Sequence, residues 1–289
     1  MDVVFNQAFA GLSIASILLI IALGLAIIYG TMGVINLAHG EFVMLGAYAT
    51  WALQTYAGLG VVTALPLVFV AVAAVGWIIE KVIVQRLYTR PLDTILATWG
   101  IGIILQQAVR LGVGADSRFV SGPHWLSGNI EIGALVMSNY RLFVIAFSIM
   151  VLGATWLLMT RTEFGMKLRA VIQNRGISEC YGIEAKNVYS VTFAYGAGLA
   201  GIAGALITPL FSTIPTMGTG LVVDAFLVVI VGGLGSLMGT AAAALLIGEV
   251  TALFSIVIND TLGRIAVLAG IILLIRFRPR GLFPSDIRH

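Results

Sequence analysis

The polar and ionisable side chains that interrupt long apolar stretches are the residues of this sequence best placed to do chemistry. Asn36, His39 and Glu41 lie in the glycine-rich stretch 30–41, and Ser236 lies in a second such stretch. An amide, an imidazole, a carboxylate and a hydroxyl can exchange hydrogen bonds with a polar solute, and the imidazole and carboxylate can also carry a proton. We therefore expect hydrogen bonding or proton transfer at these positions.

Covalent and metal chemistry find little support. The histidines, His39, His124 and His289, lack the spacing of metal ligands, and Cys180 is the single cysteine, which excludes an intrachain disulfide. No lysine follows a glycine, so the phosphate-binding loop G-x-x-x-x-G-K-[ST] is absent. With no recognisable pair of nucleophile and base, the sequence predicts that this chain is not an enzyme and holds no cofactor or metal.

The composition places these residues in a lipid environment. Of 289 residues, 60% are hydrophobic and 10% are charged, and the mean hydropathy is +1.05. Soluble globular chains have about 25% charged residues, so a water-soluble enzyme and a nucleic-acid-binding protein are excluded. Apolar runs such as 62–80 lack the alternation of a membrane β-barrel. The predicted fold class is all-α, a polytopic helical membrane protein.

The apolar runs predict about eight or nine transmembrane helices of roughly 20 residues each in a single transmembrane domain, 1–289. Their boundaries are 8–30, 36–57, 61–84, 94–113, 141–160, 188–213, 222–240, 240–258 and 261–276. Residues 1–113 form the first helical half and residues 188–276 the second. The polar segment 161–187 precedes the second half, and 277–289 is a predicted cytoplasmic tail.

The distribution of Lys and Arg predicts which loops face the cytoplasm. Most of these residues fall in 81–90, 161–187 and 276–288, and an even number of predicted spans separates these segments. All three can be cytoplasmic if 222–258 forms two helices or a broken pair. The N-terminus is then outside, or inside if 30–41 is only re-entrant, and the sequence leaves both open.

The two glycine-rich stretches, 30–41 and 232–240, interrupt one helix in each half. Such pairs can mark a transport path, because irregular backbone at membrane depth is tolerated where protein buries it or water reaches it. Asn36 and Ser236 could each cap the helix that follows. His39 and Glu41 could line the path or lie at the water interface. The alternative is that both stretches are tight turns whose glycines permit close packing.

Further positions also allow two interpretations. Glu249 lies in an apolar run without a neighbouring charge, so we expect it to face the bundle interior, as a structural hydrogen-bond partner or as a proton site. Asp224 is either a helix-start residue or a gate on the outer side. Gly196, Ala200 and Gly204 are spaced four apart, which predicts a flat face for close helix packing.

The cytoplasmic segment 161–187 is too polar to cross a membrane. Phe164, Leu168, Val171 and Ile172 share one side of a helix, and the polar residues lie elsewhere. Such an amphipathic helix can lie on the lipid surface or dock into a groove of a partner protein. The sequence alone does not choose between these two arrangements.

Several strings resemble permeases of branched-chain amino-acid-type ABC importers, over essentially the whole chain. These strings are ALGLAIIYGTMGVINLAHGEFVMLGAY, VVDAFLVVIVGGLGSLMGT and RFRPRGLFP. Within that family, LRAVIQNRGISECYGI and TFAYGAGLAGIAGAL are similar to the urea-importer subgroup. The resemblance implies a permease of the bacterial inner membrane, with urea as the expected solute and branched-chain amino acids or short amides as the alternative.

The resemblance also implies partners. A periplasmic binding protein delivers solute, a second, homologous permease completes the path, and two ATP-binding subunits drive it, in a lipid bilayer and without nucleic acid. The segment 161–187 would then contact an ATPase through Glu163, Gly165, Lys167, Arg169 and Arg175. Two other classes stay open: a self-sufficient channel or proton-coupled carrier with Glu41 and Glu249 as proton sites, and a scaffold subunit that transports nothing.

Overall fold

The computed structural model describes residues 2–132, 135–257, 259–278 and 281–283. The helices within them are α1 Asp2–Met32, α2 His39–Ala57, α3 Val61–Val82, α4 Pro91–Val113, α5 Asn139–Arg161, α6 Glu163–Gln173, α7 Arg175–Cys180, α8 Ala185–Ile207, α9 Met217–Gly232, α10 Leu237–Val257 and α11 Asp260–Phe277, with 3-10 helices at Val84–Arg86 and His124–Leu126. Each predicted span coincides with one helix, and α6 and α7 fall in the predicted cytoplasmic segment. The all-α, multi-pass fold is confirmed.

Within the part of the chain that the structure describes, six helices are long and apolar enough to cross a membrane: α1, α3, α4, α5, α8 and α10. The helix α9 and the 265–274 part of α11 are apolar but shorter. The helix α2 carries His39 and Glu41 in its first turn. Three of the predicted spans, α2, α9 and α11, are thus shorter or less apolar than the six. Two of them, α2 and α9, adjoin the glycine-rich stretches.

The first helix forms the centre of the bundle. In the most apolar 18-residue stretch of α1, 89% is buried, against 22% in the corresponding stretches of α4 and α5. The helix α1 packs against α5, α8, α9 and α10. Residues 15–28 of α1 are all buried, because they are apolar or small on every face. By contrast, α4 exposes Leu96, Ile104 and Leu111, as expected of a helix that faces lipid or another chain.

Small residues on α8 set the distance between helices. A Cβ atom added at Gly204 would lie 2.0 Å from the carbonyl oxygen of Val43 on α2, and one at Gly196 would lie 2.7 Å from that of Gly24 on α1. Ala200, between these two glycines, is fully buried. Any larger residue would push the helices apart, so the predicted close-packing face is confirmed.

The first glycine-rich stretch returns into the bundle before α2 begins. After α1 ends at Met32, residues 33–38 are not helical, and His39 Nε2 then lies 3.0 Å from the carbonyl oxygen of Ile21. Ile21 lies eleven residues before Met32, which corresponds to about 16 Å of helix. The helix α2 therefore starts near the middle of α1, and this stretch is not a tight turn between two helices.

The second glycine-rich stretch is a short turn that touches the first. It separates α9 from α10, and Gly233 and Gly235 have φ values of +102° and +80°, which glycine adopts without the steric cost of a side chain. A Cβ atom added at Gly30 would lie 2.8 Å from Gly235 Cα. The two interruptions, far apart in sequence, therefore meet at one end of the bundle, and the pair of helices predicted here is confirmed.

The loop between α4 and α5, predicted to lie on the outer side, contains structure that the sequence did not indicate. The strands β1 Asn129–Ile132 and β2 Leu135–Ser138 form an antiparallel hairpin. Arg118, in the same loop, pairs with Thr213 before α9 as an isolated bridge. These pairings tie the loop to the segment that leads into α9.

The end of the chain returns to the second glycine-rich stretch. The backbone N–H groups of Leu282 and Phe283 donate to the carbonyl oxygens of Val231 and Gly232, at 2.8 and 3.2 Å. These bonds satisfy carbonyl groups that the last turn of α9 leaves without helical partners. Of the predicted tail, residues 279–280 and 284–289 lie outside the described residues.

Candidate functional site

Three of the predicted site residues are buried together where α2 begins. Asn36 and His39 are fully buried, and Glu41 is 4% exposed. The Oδ1 atom of Asn36 accepts a hydrogen bond of 3.1 Å from the backbone N–H of Ala38. Ala38 is itself the N-cap residue of α2. The prediction that Asn36 caps this helix is therefore wrong, because its side chain stabilises the turn that precedes the helix.

Each of these three side chains also keeps a polar atom without a hydrogen-bond partner among the described residues. These atoms are Asn36 Nδ2, His39 Nδ1 and Glu41 Oε2. A buried polar atom in apolar surroundings destabilises the fold unless it forms a hydrogen bond. The start of α2 can therefore bind water or a polar group that enters the bundle.

Gln106 connects this buried cluster to the surface of the chain. Its Nε2 atom, on α4, donates to Glu41 Oε1 at 2.9 Å and to Thr219 Oγ1 on α9 at 3.0 Å. Gln106 is half-buried and Thr219 is exposed, so the polar group extends from a buried carboxylate to an accessible hydroxyl. The sequence analysis missed both residues. An amide in an otherwise apolar helix was the available signal, but only the packing of α4 against α2 identifies its partners.

Asp224 lies on α9, five residues after Thr219. It lines a cavity of about 280 Å³ between α1 and α9, which we call the outer cavity. The helix α9 begins at Met217, seven residues before Asp224, so the interpretation of Asp224 as a helix-start residue is wrong. The sequence placed the start of the span too late because polar residues precede it.

Glu249 faces the edge of the bundle and not its interior, contrary to the prediction. It is half-buried on α10 and borders a pocket beside Phe5, at the start of α1. The helices α10 and α1 pack through the neighbouring Gly248, where an added Cβ atom would lie 2.4 Å from Ala15 Cβ. Because Gly248 occupies the contact, the next side chain projects beside it.

Ser236 caps α10, as the sequence predicted. Its Oγ atom accepts a hydrogen bond of 3.1 Å from the backbone N–H of Gly239, and its carbonyl oxygen accepts one of 2.8 Å from Thr240 Oγ1. The cap satisfies an amide that the first helical turn leaves free. A contact of Ser236 with solute stays a prediction.

The apolar side of segment 161–187, the predicted cytoplasmic segment, packs against its own chain. Leu168 and Val171 of α6 are buried against Tyr189 and its neighbours at the start of α8. Phe164 and Ile172 are partly buried at the edge of the same contact. Both arrangements weighed from the sequence therefore need correction, because this face covers the end of the bundle and is available neither to lipid nor to a partner groove.

The opposite side of α6 and α7 is exposed and mixed in character. Met166, Ile177 and Tyr181 are 58%, 57% and 82% exposed. Glu163 and Lys167 form an exposed ion pair with an N–O distance of 3.7 Å. Apolar side chains surrounded by charges are typical of the surfaces that proteins use to bind each other. We call this set of exposed side chains, on α6, on α7 and at Tyr181 just after it, the cytoplasmic surface, after the side of the membrane predicted for this segment.

Two arginines that were predicted to contact an ATPase, Arg169 and Arg175, form contacts within the chain itself. Arg169 Nη1 donates to the carbonyl oxygen of Met159 at the end of α5. Arg175 Nε lies 3.0 Å from Glu179 Oε1, and its guanidinium lies 5.8 Å from the centre of the Tyr189 ring. Their contribution to a partner contact therefore depends on the remaining N–H groups of each guanidinium.

A larger cavity, of about 630 Å³, lies between α6 and the two glycine-rich stretches. Gly165 and Arg169 line it from the cytoplasmic segment, and Gly30 and Gly235 line it from the two interruptions. The cytoplasmic segment and both interruptions thus border the same space. A displacement of α6 would change the volume directly beside the contact between Gly30 and Gly235.

A fully buried carboxylate, Glu80 on α3, connects α7 to the bundle. It accepts hydrogen bonds from the hydroxyl groups of Tyr88 and Ser190. The Tyr88 ring lies edge-to-face with Tyr189, with centroids 5.3 Å apart, and Arg175 lies over Tyr189. Burial raises the pKa of the Tyr88 hydroxyl, which therefore stays protonated and donates. The contacts join α3, the α3–α4 loop, α7 and α8.

Comparison with known proteins gives consistent matches along the chain. The family model for the permease component of branched-chain amino acid transport systems matches residues 7–276. This chain is 29% identical to the high-affinity branched-chain amino acid transport system permease protein BraD of Pseudomonas aeruginosa, over 96% of this chain and 94% of BraD. It is 28% identical to LivH of Escherichia coli, with the same coverage, and 24% identical to LivM of Escherichia coli, over 94% of this chain and 69% of LivM. No solved structure matches it.

Proposed function

Because this chain belongs to the family of permease components of branched-chain amino acid transport systems, we propose that it forms part of the solute path of an ATP-driven importer in the bacterial inner membrane. Its relatives are transport permeases and not enzymes. The observation that carries the proposal is the cluster of Glu41, Gln106 and Thr219, a polar group inside an apolar bundle where an interrupted helix begins. Interrupted helices of this kind are where membrane transporters bind their solutes.

The proposed solute is a branched-chain amino acid or a small molecule of related chemistry. BraD and LivH are named for the transport of branched-chain amino acids. The urea subgroup predicted from the sequence gains no support from these relatives. Urea therefore enters the experiment as the competing solute.

The proposed assembly contains four kinds of subunit. Similarity to both LivH and LivM of Escherichia coli supports pairing with a second, homologous permease. Two ATP-binding subunits supply the energy on the cytoplasmic side, and a periplasmic binding protein delivers the solute. The chain contributes one transmembrane domain, with segment 161–187 as the coupling segment.

The cytoplasmic surface is the proposed contact with an ATP-binding subunit. Its exposed Met166, Ile177 and Tyr181 offer apolar anchors, and Lys167 lies among them. A push on this surface would move α6 against the cavity that Gly30 and Gly235 border. The ATPase cycle would thus act on both glycine-rich stretches through one helix.

Uptake into vesicles tests the proposed function. The chain is assembled with its partner permease, ATP-binding subunits and binding protein, and labelled leucine and labelled urea are supplied in parallel. We expect leucine uptake that requires both ATP and the binding protein. Uptake of urea alone would overturn the proposed solute. Flux without ATP would indicate a channel or carrier, and absence of any flux would indicate a scaffold subunit.

Replacing Gln106 with leucine is expected to lower ATP-dependent uptake at least tenfold. The substitution removes the amide that bridges Glu41 and Thr219, so the carboxylate loses a charge-assisted hydrogen bond of about 1.5–3 kcal/mol. The matched control is Gln107 to leucine, one residue further along α4, where the side chain is exposed. Equal uptake by the two variants would show that Gln106 does not contribute to the solute path.

A further inference from the structure

A second polar group lies further along the two helices that carry Glu41 and Gln106. On α2, Tyr48 follows Glu41 by seven residues, which places both on one helix face, about 10 Å apart along the axis. On α4, Arg110 follows Gln106 by four residues, again on one face and about 6 Å further along. On α4 this direction leads to the loop that is predicted to lie on the outer side.

That loop brings a second arginine to the same place and holds it there. Arg118 Nη2 donates to the carbonyl oxygen of Val113 at 2.7 Å, and the guanidinium lies 5.0 Å from the centre of the Trp51 ring on α2. Gln54 Nε2, also on α2, donates to the carbonyl oxygen of Ser121 at 2.9 Å, and the Ser121 N–H donates back to Gln54 Oε1 at 2.8 Å. The guanidinium of Arg118 is therefore fixed before any ligand arrives, which lowers the entropic cost of binding.

Three groups that can donate hydrogen bonds have no acceptor here within the part of the chain that the structure describes. They are the Tyr48 hydroxyl, Arg118 Nε and the hydroxyl of Thr213, the residue that forms the backbone bridge with Arg118. Tyr48 is 5% exposed and Thr213 is fully buried. Buried donors without an acceptor destabilise a fold, so this place favours a ligand that carries acceptor oxygens.

The same place carries positive charge that the chain does not balance. Neither Arg110 nor Arg118 forms an ion pair with a carboxylate of the described residues. Asp116, two residues before Arg118, is exposed and is not among the paired carboxylates. Both guanidinium charges lie close enough to the Tyr48 hydroxyl to act on it. Two like charges beside one half-buried position are stabilised by an anion that binds between them.

We propose that Tyr48, Arg110 and Arg118 form a binding site for a carboxylate group that approaches from the outer side. We call it the outer arginine site. A carboxylate presents two acceptor oxygens in one plane, which matches the planar set of N–H groups of a guanidinium. The Tyr48 hydroxyl is a further donor for the same oxygens. Both arginines are half-buried, so N–H groups of each remain accessible to an incoming anion.

Two sources can supply this carboxylate. One is the solute itself, and the other is an acidic side chain of a protein that docks on the outer side. The inference deepens the proposed function and rests on it for the choice between these sources. In either case the anion is held one or two helical turns from Glu41 and Gln106, at the outer approach to the proposed path.

The first experiment tests the site in the purified chain, with acetate as the probe. Thermal unfolding in detergent is followed by the helical signal, in sodium acetate and in sodium chloride at equal ionic strength. We expect acetate to raise the Tm by about 2–4 °C over chloride, because a ligand that binds only the folded state stabilises it. Arg110→Gln and Tyr48→Phe should each lose at least half of this shift.

Arg141→Gln is the matched control, because it removes one positive charge at the start of α5 and should keep the full shift. Tyr48→Phe removes an unpaired buried hydroxyl, so in chloride it should unfold no earlier than the unmodified chain. This comparison separates loss of the site from a general loss of stability. Equal shifts in all variants, or no difference between acetate and chloride, would overturn the site. A larger shift in sodium phosphate than in acetate would overturn the choice of a carboxylate.

The second experiment identifies the source in the complete importer. If the solute supplies the carboxylate, Arg110→Gln should lower leucine uptake at least tenfold at saturating binding protein and leave docking of the binding protein within twofold. If an acidic side chain supplies it, the Kd for docking should rise at least tenfold and saturating binding protein should restore uptake. No change in either quantity would contradict a role in import. If the unmodified importer shows no ATP-dependent uptake, the proposed function fails, while the acetate shift still reports on the site.

Discussion

Replacing Gly165 with valine is expected to lower coupled uptake at least tenfold while the chain remains in the membrane. A Cβ atom added at Gly165 would lie 2.2 Å from the carbonyl oxygen of Met159 and 2.6 Å from that of Leu158. Both are backbone atoms at the end of α5, so they cannot move aside as a flexible side chain would. The helix α6 must then shift away from α5, which displaces the cytoplasmic surface from its proposed partner.

The measurement is leucine uptake together with the ATP hydrolysed by the assembled importer. We expect uptake to fall at least tenfold, with the chain still recovered with its partner subunits. Gly176 on α7 provides the control, because an added Cβ atom there has Asn174 Oδ1 at 3.6 Å as its only neighbour within 4 Å among the described residues. If Gly165→Val transports as well as Gly176→Val, the position of α6 does not control coupling.

Replacing Glu80 with alanine is expected to lower the free energy of unfolding by about 1–3 kcal/mol. The substitution leaves the hydroxyl group of Tyr88 without its acceptor, and a donor that loses its partner away from water costs about that much. The hydroxyl group of Ser190 keeps a second acceptor, the carbonyl oxygen of Lys186 at 3.0 Å. The raised pKa of Tyr88 means that deprotonation cannot remove its donor. Because the same contacts reach Arg175 through Tyr189, the variant should also loosen α7.

Unfolding of the purified chain in detergent, followed by its helical signal, measures this change. Glu80→Gln keeps an acceptor oxygen and should recover at least half of the lost stability. Glu131→Ala removes an exposed carboxylate in the outer hairpin and should change stability by less than about 0.5 kcal/mol. A loss no larger for Glu80→Ala than for Glu131→Ala would contradict a structural role for the buried carboxylate.

The helices could be predicted from the sequence because their signal is local. A run of about twenty apolar residues identifies a span whatever its neighbours are, and each predicted span coincides with a helix. The small residues Gly196 and Gly204 also carry a local signal, since their spacing alone places them on one helix face. The cap at Ser236 was predictable for the same reason.

The buried polar cluster could not be predicted in full, because it depends on which helices pack against each other. Local sequence patterns do not contain that information. Gln106 is separated from Glu41 by 65 residues and from Thr219 by 113. Glu80 ends an apolar run, where a charge at the water interface is common. Only its contacts with Ser190 and Tyr88 distinguish it from an ordinary interfacial carboxylate. The sequence could not predict which surface covers the apolar face of α6 for the same reason. An amphipathic pattern predicts that one face is buried, but it does not predict which element buries it.

The contact between Gly30 and Gly235 limits how the two halves of the chain can move. At this contact the backbones touch without an intervening side chain. A movement of either stretch toward the other therefore pushes directly on backbone, and no change of side-chain rotamer can absorb it. The two halves of the chain are mechanically linked where the interruptions meet.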